Sequence, residues 1–244
     1  VALHDTPNDP LWSRQWDLAN TGQPYWSVRG IAGNENDSLI ERVGVSGADI
    51  RFLAPYESAE PTADVLVGVI DTGLDTLHVD LRERLARNPG EISDNGIDDD
   101  NNGFVDDLFG WDFSGDSTLS PIDIIGDNDI GDDNGHGTHV AGTIASTVDN
   151  DAGIAGVCRQ ARIIGGKIFP NAYFSISAQA IYYVVDRGAR VINMSWGGSF
   201  RSRAIEDALQ YAHDRGVVLV SSMGNSGRDE VFYPSGYTTT IGVG

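Results

Sequence analysis

A chain of 244 residues, 40% apolar and 9% aromatic, has the length and composition of one large globular domain, which excludes a miniprotein and a disordered chain. Its 36 Asp and Glu against 16 Lys and Arg leave a formal charge of -20, which repels a phosphate backbone and excludes nucleic acid as an expected partner. The longest apolar runs are of strand length, so no membrane span is expected.

The chain opens at Val1 without a signal-like apolar region, which fits either removal of a leader or pro-segment or a trimmed start. Residues 1–20 carry NDPLWSRQWDLANTG and read as an irregular arm packed on a body by Trp12 and Trp16. Residues 21–60 have weak periodicity and read as loops with one short helix. VLVGVI at 65–70 is a continuous apolar, β-branched run ending in Asp71-Thr72-Gly73, the pattern of a strand covered on both faces. Further strands are expected at 161–169, 189–195 and 217–222, and helical spacing recurs at 138–147, 176–188 and 201–216. Strands alternating with helices predict an α/β doubly wound parallel-sheet sandwich of three layers, αβα.

Between residues 91 and 133 the chain carries 13 Asp and one Glu with no Lys or Arg, which reads as surface loop. Within it, GIDDDNNGFVDD places oxygens at Asp98, Asp100 and Asn102, then a carbonyl at Phe104, then Asp106 and Asp107. This spacing, with Gly103 sixth, is the layout of an EF-hand loop and suits calcium (Ca2+), although Phe109 stands where the bidentate Glu belongs. A second group, Asp123, Asp127, Asp129, Asp132 and Asp133, needs a cation or solvent to offset its repulsion. The one cysteine, Cys158 in IAGVC, forms no internal disulfide and reads as a small buried side chain.

Four segments can carry chemistry. Asp71 at a strand end and His136 in GHGTHVAG could form an orienting acid and a base. The spacing of His136 and His139 also allows a metal pair, but no HExxH motif or cysteine cluster supports zinc. Asn225 in SSMGNSG could aim an amide at a developing oxyanion, or serve as a turn residue. NMSWGG offers bare backbone to an extended peptide, or is a turn at a sheet edge.

In this order, VIDTGLDTLHVDL, NGHGTHVAGTIA, INMSWGG, SSMGNSG and YPSGYTTTIGVG resemble the subtilisin-like serine peptidases over essentially the whole chain. The resemblance implies that Asp71 orients His136, that His136 is general base and then acid, and that Asn225 stabilises the tetrahedral intermediate. It implies that Ser195, Trp196 and Gly197 pair with substrate and form one wall of a specificity pocket, with Ser222 and Gly224 opposite. Trp196 stands where the family often has Leu, so a modified rim is expected. It further implies a calcium site tethering the arm through Asp9, Asp80, Val148, Asn150 and Ile154.

The family's nucleophile serine belongs to a motif beyond the segment matching IGVG, and no serine in residues 1–244 matches it. Residues 1–244 therefore read as the N-terminal and central portion of one peptidase domain. A complementary C-terminal polypeptide is expected to carry the serine, and the chain alone is expected to be inactive. The implied protein is a secreted or cell-surface, calcium-dependent endopeptidase acting on protein or peptide substrates, with a propeptide as a further partner. Two other readings compete: a peptide-binding or regulatory module without a nucleophile, and a calcium-binding adhesion domain, which leaves GHGTHVAG unexplained.

Overall fold

The computed structural model describes residues 6–15, 17–29, 38–50, 63–115 and 126–244. Its centre is a six-stranded sheet of β3 (Val65–Asp71), β4 (Gly110–Asp112), β5 (Ala161–Lys167), β6 (Val191–Met194), β7 (Val218–Ser222) and β8 (Ile241–Val243). The strands lie in the order β4-β5-β3-β6-β7-β8, and every pair is parallel. Among the described residues, three helices cover it: α1 (His136–Ala145), α2 (Phe174–Asp186) and α3 (Arg203–Asp214).

The alternation along β3 explains the layers. Val67 and Val69 join Ile163 from β5 and Ala141 and Ala145 from α1 in one core. Ile70 joins Ile164, Ile192 and Leu219 on the other face, against Ile181 and Val184 of α2 and Leu209 of α3. Both faces of β3 are thus buried, as its unbroken apolar run requires. Gly68 lets α2 close on the sheet, since a Cβ there would lie 2.9 Å from the Val184 side chain. In α3 the buried residues are Ile205, Ala208, Leu209 and Ala212, one stripe at helical spacing.

Several features differ from the sequence reading, among them β8, which no expected strand covers. Where loops and a short helix were expected, β1 (Pro24–Arg29) and β2 (Ser38–Val43) pair antiparallel. PYWSVR and SLIERV have strand composition, but each is short and flanked by Gly, Asn or Asp, so neither carries a long enough period to register. The acidic stretch is not all surface. It contributes β4, and Glu91, Asp106, Asp107 and Asp112 are buried. Distant cations permit this: Lys167 lies 3.1 Å from Asp112, and Arg187 lies 2.8 Å from Asp107.

The arm makes a short 3-10 turn at Trp12–Arg14 and docks on residues 153–155. Leu11 N–H donates to Gly153 O, and the Gln15 side chain bonds both backbone groups of Ala155. Trp12 packs beside Leu18 and Ala155, while Trp16 lies outside the described residues. Cys158 is half-buried rather than buried, at the edge of the α1 core. Among the described residues no helix is long and apolar enough to cross a membrane.

The start of α1 is tied to the end of β3 by Asp132. One Asp132 oxygen accepts from Thr72 Oγ1 at 2.9 Å and from Gly135 N–H, and the other accepts from Thr138 N–H at 2.9 Å and Thr138 Oγ1 at 2.7 Å. A carboxylate here satisfies orphan N–H groups and faces the positive end of the helix. Burial pushes its carboxyl up, but the hydrogen bonds from Thr138, Gly135 and Thr72 together outweigh it and hold it below the ordinary value of 3.8. A depressed folded-state pKa contributes stability above the unfolded value and loses it as pH falls through the folded one. Asp132→Ala should therefore lower stability at pH 7 by about 1 kcal/mol. The difference from the unsubstituted protein should be full above pH 3.8 and shrink below it. Denaturant midpoints read at several pH values check this, and equal midpoints at pH 7 would contradict it.

Candidate active site

Strand order reverses about β3: the chain proceeds from β3 to β4 and β5 on one side, then crosses to β6, β7 and β8 on the other. The carboxyl end of a strand at such a switch point opens a crevice where α/β proteins hold ligands. Asp71 is the last residue of β3, and His136 is the first of α1. The two meet there with Asp71 Oδ1 2.6 Å from His136 Nδ1. Asp71 is 2% exposed, whereas about half of the His136 side chain is open to solvent.

Close approach of two backbones makes the contact. At Gly137 an added Cβ would lie 2.2 Å from Gly73 O and 3.1 Å from Asp71 Cβ, so only glycine lets α1 begin against β3. Gly137 N–H donates to Thr72 Oγ1 at 2.9 Å, and Thr72 N–H donates to Asp71 Oδ1 at 2.8 Å. Asp71 Oδ2 is buried with no hydrogen-bond partner among the described residues. The carboxylate therefore directs its charge at the imidazole, holding the proton on Nδ1 and leaving Nε2 as the basic nitrogen.

The other candidate residues stand at the same sheet end. Ser195, Trp196 and Gly197 follow β6, and Gly198 exchanges backbone hydrogen bonds with Tyr233 at 2.9 and 2.8 Å. Trp196 is half-buried against the α2 core rather than simply placed at a rim, and its Nε1 donates to Ile70 O at 2.9 Å. With Phe174, Ile205, Tyr233 and Tyr237 it lines a mostly apolar cavity of about 240 Å³. Ser222 ends β7 and accepts Gly224 N–H on its Oγ at 3.0 Å. Asn225 follows in an exposed turn.

The cation candidates separate into three geometries. Asp9 and Asp80 are both buried and both hold the loop 148–154. Asp9 Oδ2 accepts Asp149 N–H, Asp80 Oδ1 accepts Asn150 Nδ2 at 2.9 Å, and Asp80 Oδ2 accepts Ile154 N–H at 3.0 Å. Val148, Asn150 and Ile154 thus lie on the loop that both carboxylates grip. Asp9 Oδ1 is buried and without a partner among the described residues, and burial is the main influence pushing the Asp9 carboxyl up. An orphaned carboxylate oxygen among such donors fits a calcium ion.

The EF-hand-like loop is partly gathered. Asp100 and Asp107 converge with Glu91, their ligand oxygens within 4.8 Å of one another. Sequence spacing missed Glu91, whose only signal was being the lone Glu of the acidic stretch. Asp98 instead accepts Asn102 and Gly103 N–H, and Asp106 accepts Asn95 and Gly96 N–H. The Phe104 ring stacks edge-on with Trp111, Phe113 and Tyr183. Asp107 also meets Arg187 and the Tyr183 hydroxyl at 2.7 Å, and burial pushes that hydroxyl up, so it stays a donor. Asp107 therefore already has a protein cation, which fits calcium less well than Asp9 does.

The third group does not converge among the described residues. Asp127 accepts Asp129 N–H, Asp129 accepts Gly131 N–H, and Asp132 is committed to the α1 start, while Asp133 is exposed. These are local turns that satisfy the backbone. Asp123 lies outside the described residues. His139, the partner considered for zinc, is exposed one turn along α1.

The subtilase family model matches residues 62–244. The thermophilic serine proteinase of Bacillus sp. (strain AK1) is 33% identical over 181 residues, covering 73% of this chain and 37% of that protein. Thermitase of Thermoactinomyces vulgaris is 29% identical over 180 residues, covering 72% and 53%. The cell wall-associated protease of Bacillus subtilis is 31% identical over 242 residues, covering 97% and 22%. Among solved structures, S41 psychrophilic protease is similar with a TM-score of 0.54 and 26% identity, over 78% of this chain and 58% of that one. The chain thus spans 37% and 53% of the first two relatives. With a family match over most of its length and an Asp–His pair at the sheet's switch point, the chain belongs to the subtilase family.

Proposed function

We propose that residues 1–244 form the Asp–His part of a calcium-dependent serine endopeptidase, with the nucleophile serine supplied by sequence outside these residues. The 2.6 Å contact between Asp71 and His136 carries the reading. An extended substrate pairs with the backbone at Ser195, Trp196 and Gly197 and sets an apolar side chain into the adjoining cavity. Ser222, which ends β7, and Gly224 just beyond it stand on the other side of the bound peptide. His136 Nε2 takes the serine proton as the serine attacks the scissile carbonyl, then returns it to the leaving amine. Asp71 keeps the ring in its tautomer and stabilises the imidazolium, and Asn225 donates to the oxyanion.

Calcium, held by Asp9, Asp80 and loop 148–154, ties the arm to the residues that follow α1. The same reading places the protein outside the cell or at its surface, where a relative is named as cell wall-associated. A propeptide is its further proposed partner.

In the active protein, Asp71→Asn should lower kcat by about 10⁴, as in other triads, with little change in KM, because the wrong tautomer forms while the groove persists. Peptide hydrolysis assays check this. A variant with undiminished kcat would overturn the relay, and peptide binding without any turnover in the unsubstituted protein would favour the binding-module reading.

Calcium at a hundredfold excess over its Kd should add about 2.7 kcal/mol of stability, or roughly 5–10 °C in Tm. Asp80→Asn should abolish most of that rise. Melting curves with calcium and with chelator test it, and superimposed curves would exclude a bound stabilising ion.

A further inference from the structure

The ladder between β3 and β6 ends at Val69 and Asn193. Carbonyls of β3 point alternately to its two neighbours: Leu66 O accepts from Arg190 on the β6 side, and Asp71 O accepts from Ile168 on the β5 side. Ile70 O points toward β6, as Leu66 O does, but lies past the last paired residue. Its donor is the Trp196 indole, with Nε1 at 2.9 Å. A side chain thus completes the edge of the ladder where the chain leaves β6 to form the groove. Ile70 is fully buried, so its carbonyl has no ready replacement from solvent.

That carbonyl belongs to the peptide unit whose nitrogen is Asp71's own. The indole therefore holds the peptide plane from which the Asp71 side chain projects, and a small rotation of that plane would carry Oδ1 away from His136. The rings of Trp196 also line the 240 Å³ cavity, beside Ile205, Tyr233 and Tyr237. One side chain spans the cavity wall and the backbone of the orienting acid.

We propose that Trp196 is a positioning residue whose N–H fixes the Ile70–Asp71 peptide plane, so that filling the cavity with an apolar side chain steadies the Asp71–His136 hydrogen bond. This rests on reading Asp71 and His136 as a relay and the cavity as a substrate subsite. Leucine or phenylalanine at 196 could fill the wall, but neither could donate to Ile70 O.

The test follows the His136 Nδ1 proton by NMR in histidine-labelled protein, a readout that needs no turnover. Two substitutions remove the donor: Trp196→Phe, and replacement of the indole by benzothiophene, which keeps both rings and loses only the N–H. Each should quicken exchange of that proton with water about tenfold. Millimolar N-acetylphenylalanine amide should slow the exchange in unsubstituted protein and leave it unchanged in both variants. If Trp196→Phe does not fold, the benzothiophene protein decides alone. Unaltered exchange in a folded variant would reduce the indole to a structural bond, and an amide that slows every form alike would overturn the link to the cavity. Absence of peptidase activity in protein that includes the sequence beyond residue 244, with these exchange effects intact, would refute the functional reading and leave the positioning role standing.

Discussion

A buried carboxylate facing a half-open imidazole sets the terms for the rest of the molecule. Asp71 sits at 2% exposure with one oxygen 2.6 Å from His136 and the other without a donor among the described residues. Burying such a charge is expensive unless it is paired, so the fold must hold the ring in place. Three features do so. Gly137 allows the first turn of α1 to meet the end of β3, Asp132 fastens that turn to Thr72 and Thr138, and Trp196 supports the peptide unit before Asp71. Of the three, only Asp132 carries a charge, and both its oxygens are taken up by Thr72, Gly135 and Thr138.

The wider electrostatics follow the same logic. A chain of formal charge -20 would be expected to keep its carboxylates in water, yet several are buried. Each has a specific arrangement: Asp112 has Lys167, Asp107 has Arg187 and Tyr183, and Glu91 takes the N–H groups of Asp99, Asp100 and Asp106. Asp9 is different, because one of its oxygens is buried without a donor among the described residues. That contrast separates a carboxylate the protein neutralises itself from one that fits a cation. It also connects the arm to function, since the loop that Asp9 and Asp80 grip follows directly from the helix bearing His136.

Most of the central fold was legible because its signals are local. The apolar run ending at Asp71 and the helical spacings at 176–188 and 201–216 all became elements, with ends shifted by a few residues. α1 begins at His136, two residues earlier than its spacing implied, because Asp132 and Thr72 hold its first turn from outside the helix. Among the described residues β1 and β2 pair only with each other, and β4 has three residues, so none generates a long period. Strand-end and glycine patterns made Asp71 and His136 candidates and the family resemblance assigned their roles, but the bond from Trp196 to Ile70 spans 126 positions and has no sequence signature. The EF-hand spacing found Asp100 and Asp107 but not Glu91, because convergence in space there crosses two turns of loop.

The most direct measurement is fluorophosphonate labelling of the active protein, read by intact mass and peptide mapping, because the reagent reacts only with an activated serine. The account predicts one adduct, on a serine outside residues 1–244, which disappears in His136→Ala. An adduct on a serine within these residues, or labelling that survives loss of His136, would contradict the assignment of His136 as the base, and no adduct at saturation would contradict the serine mechanism itself.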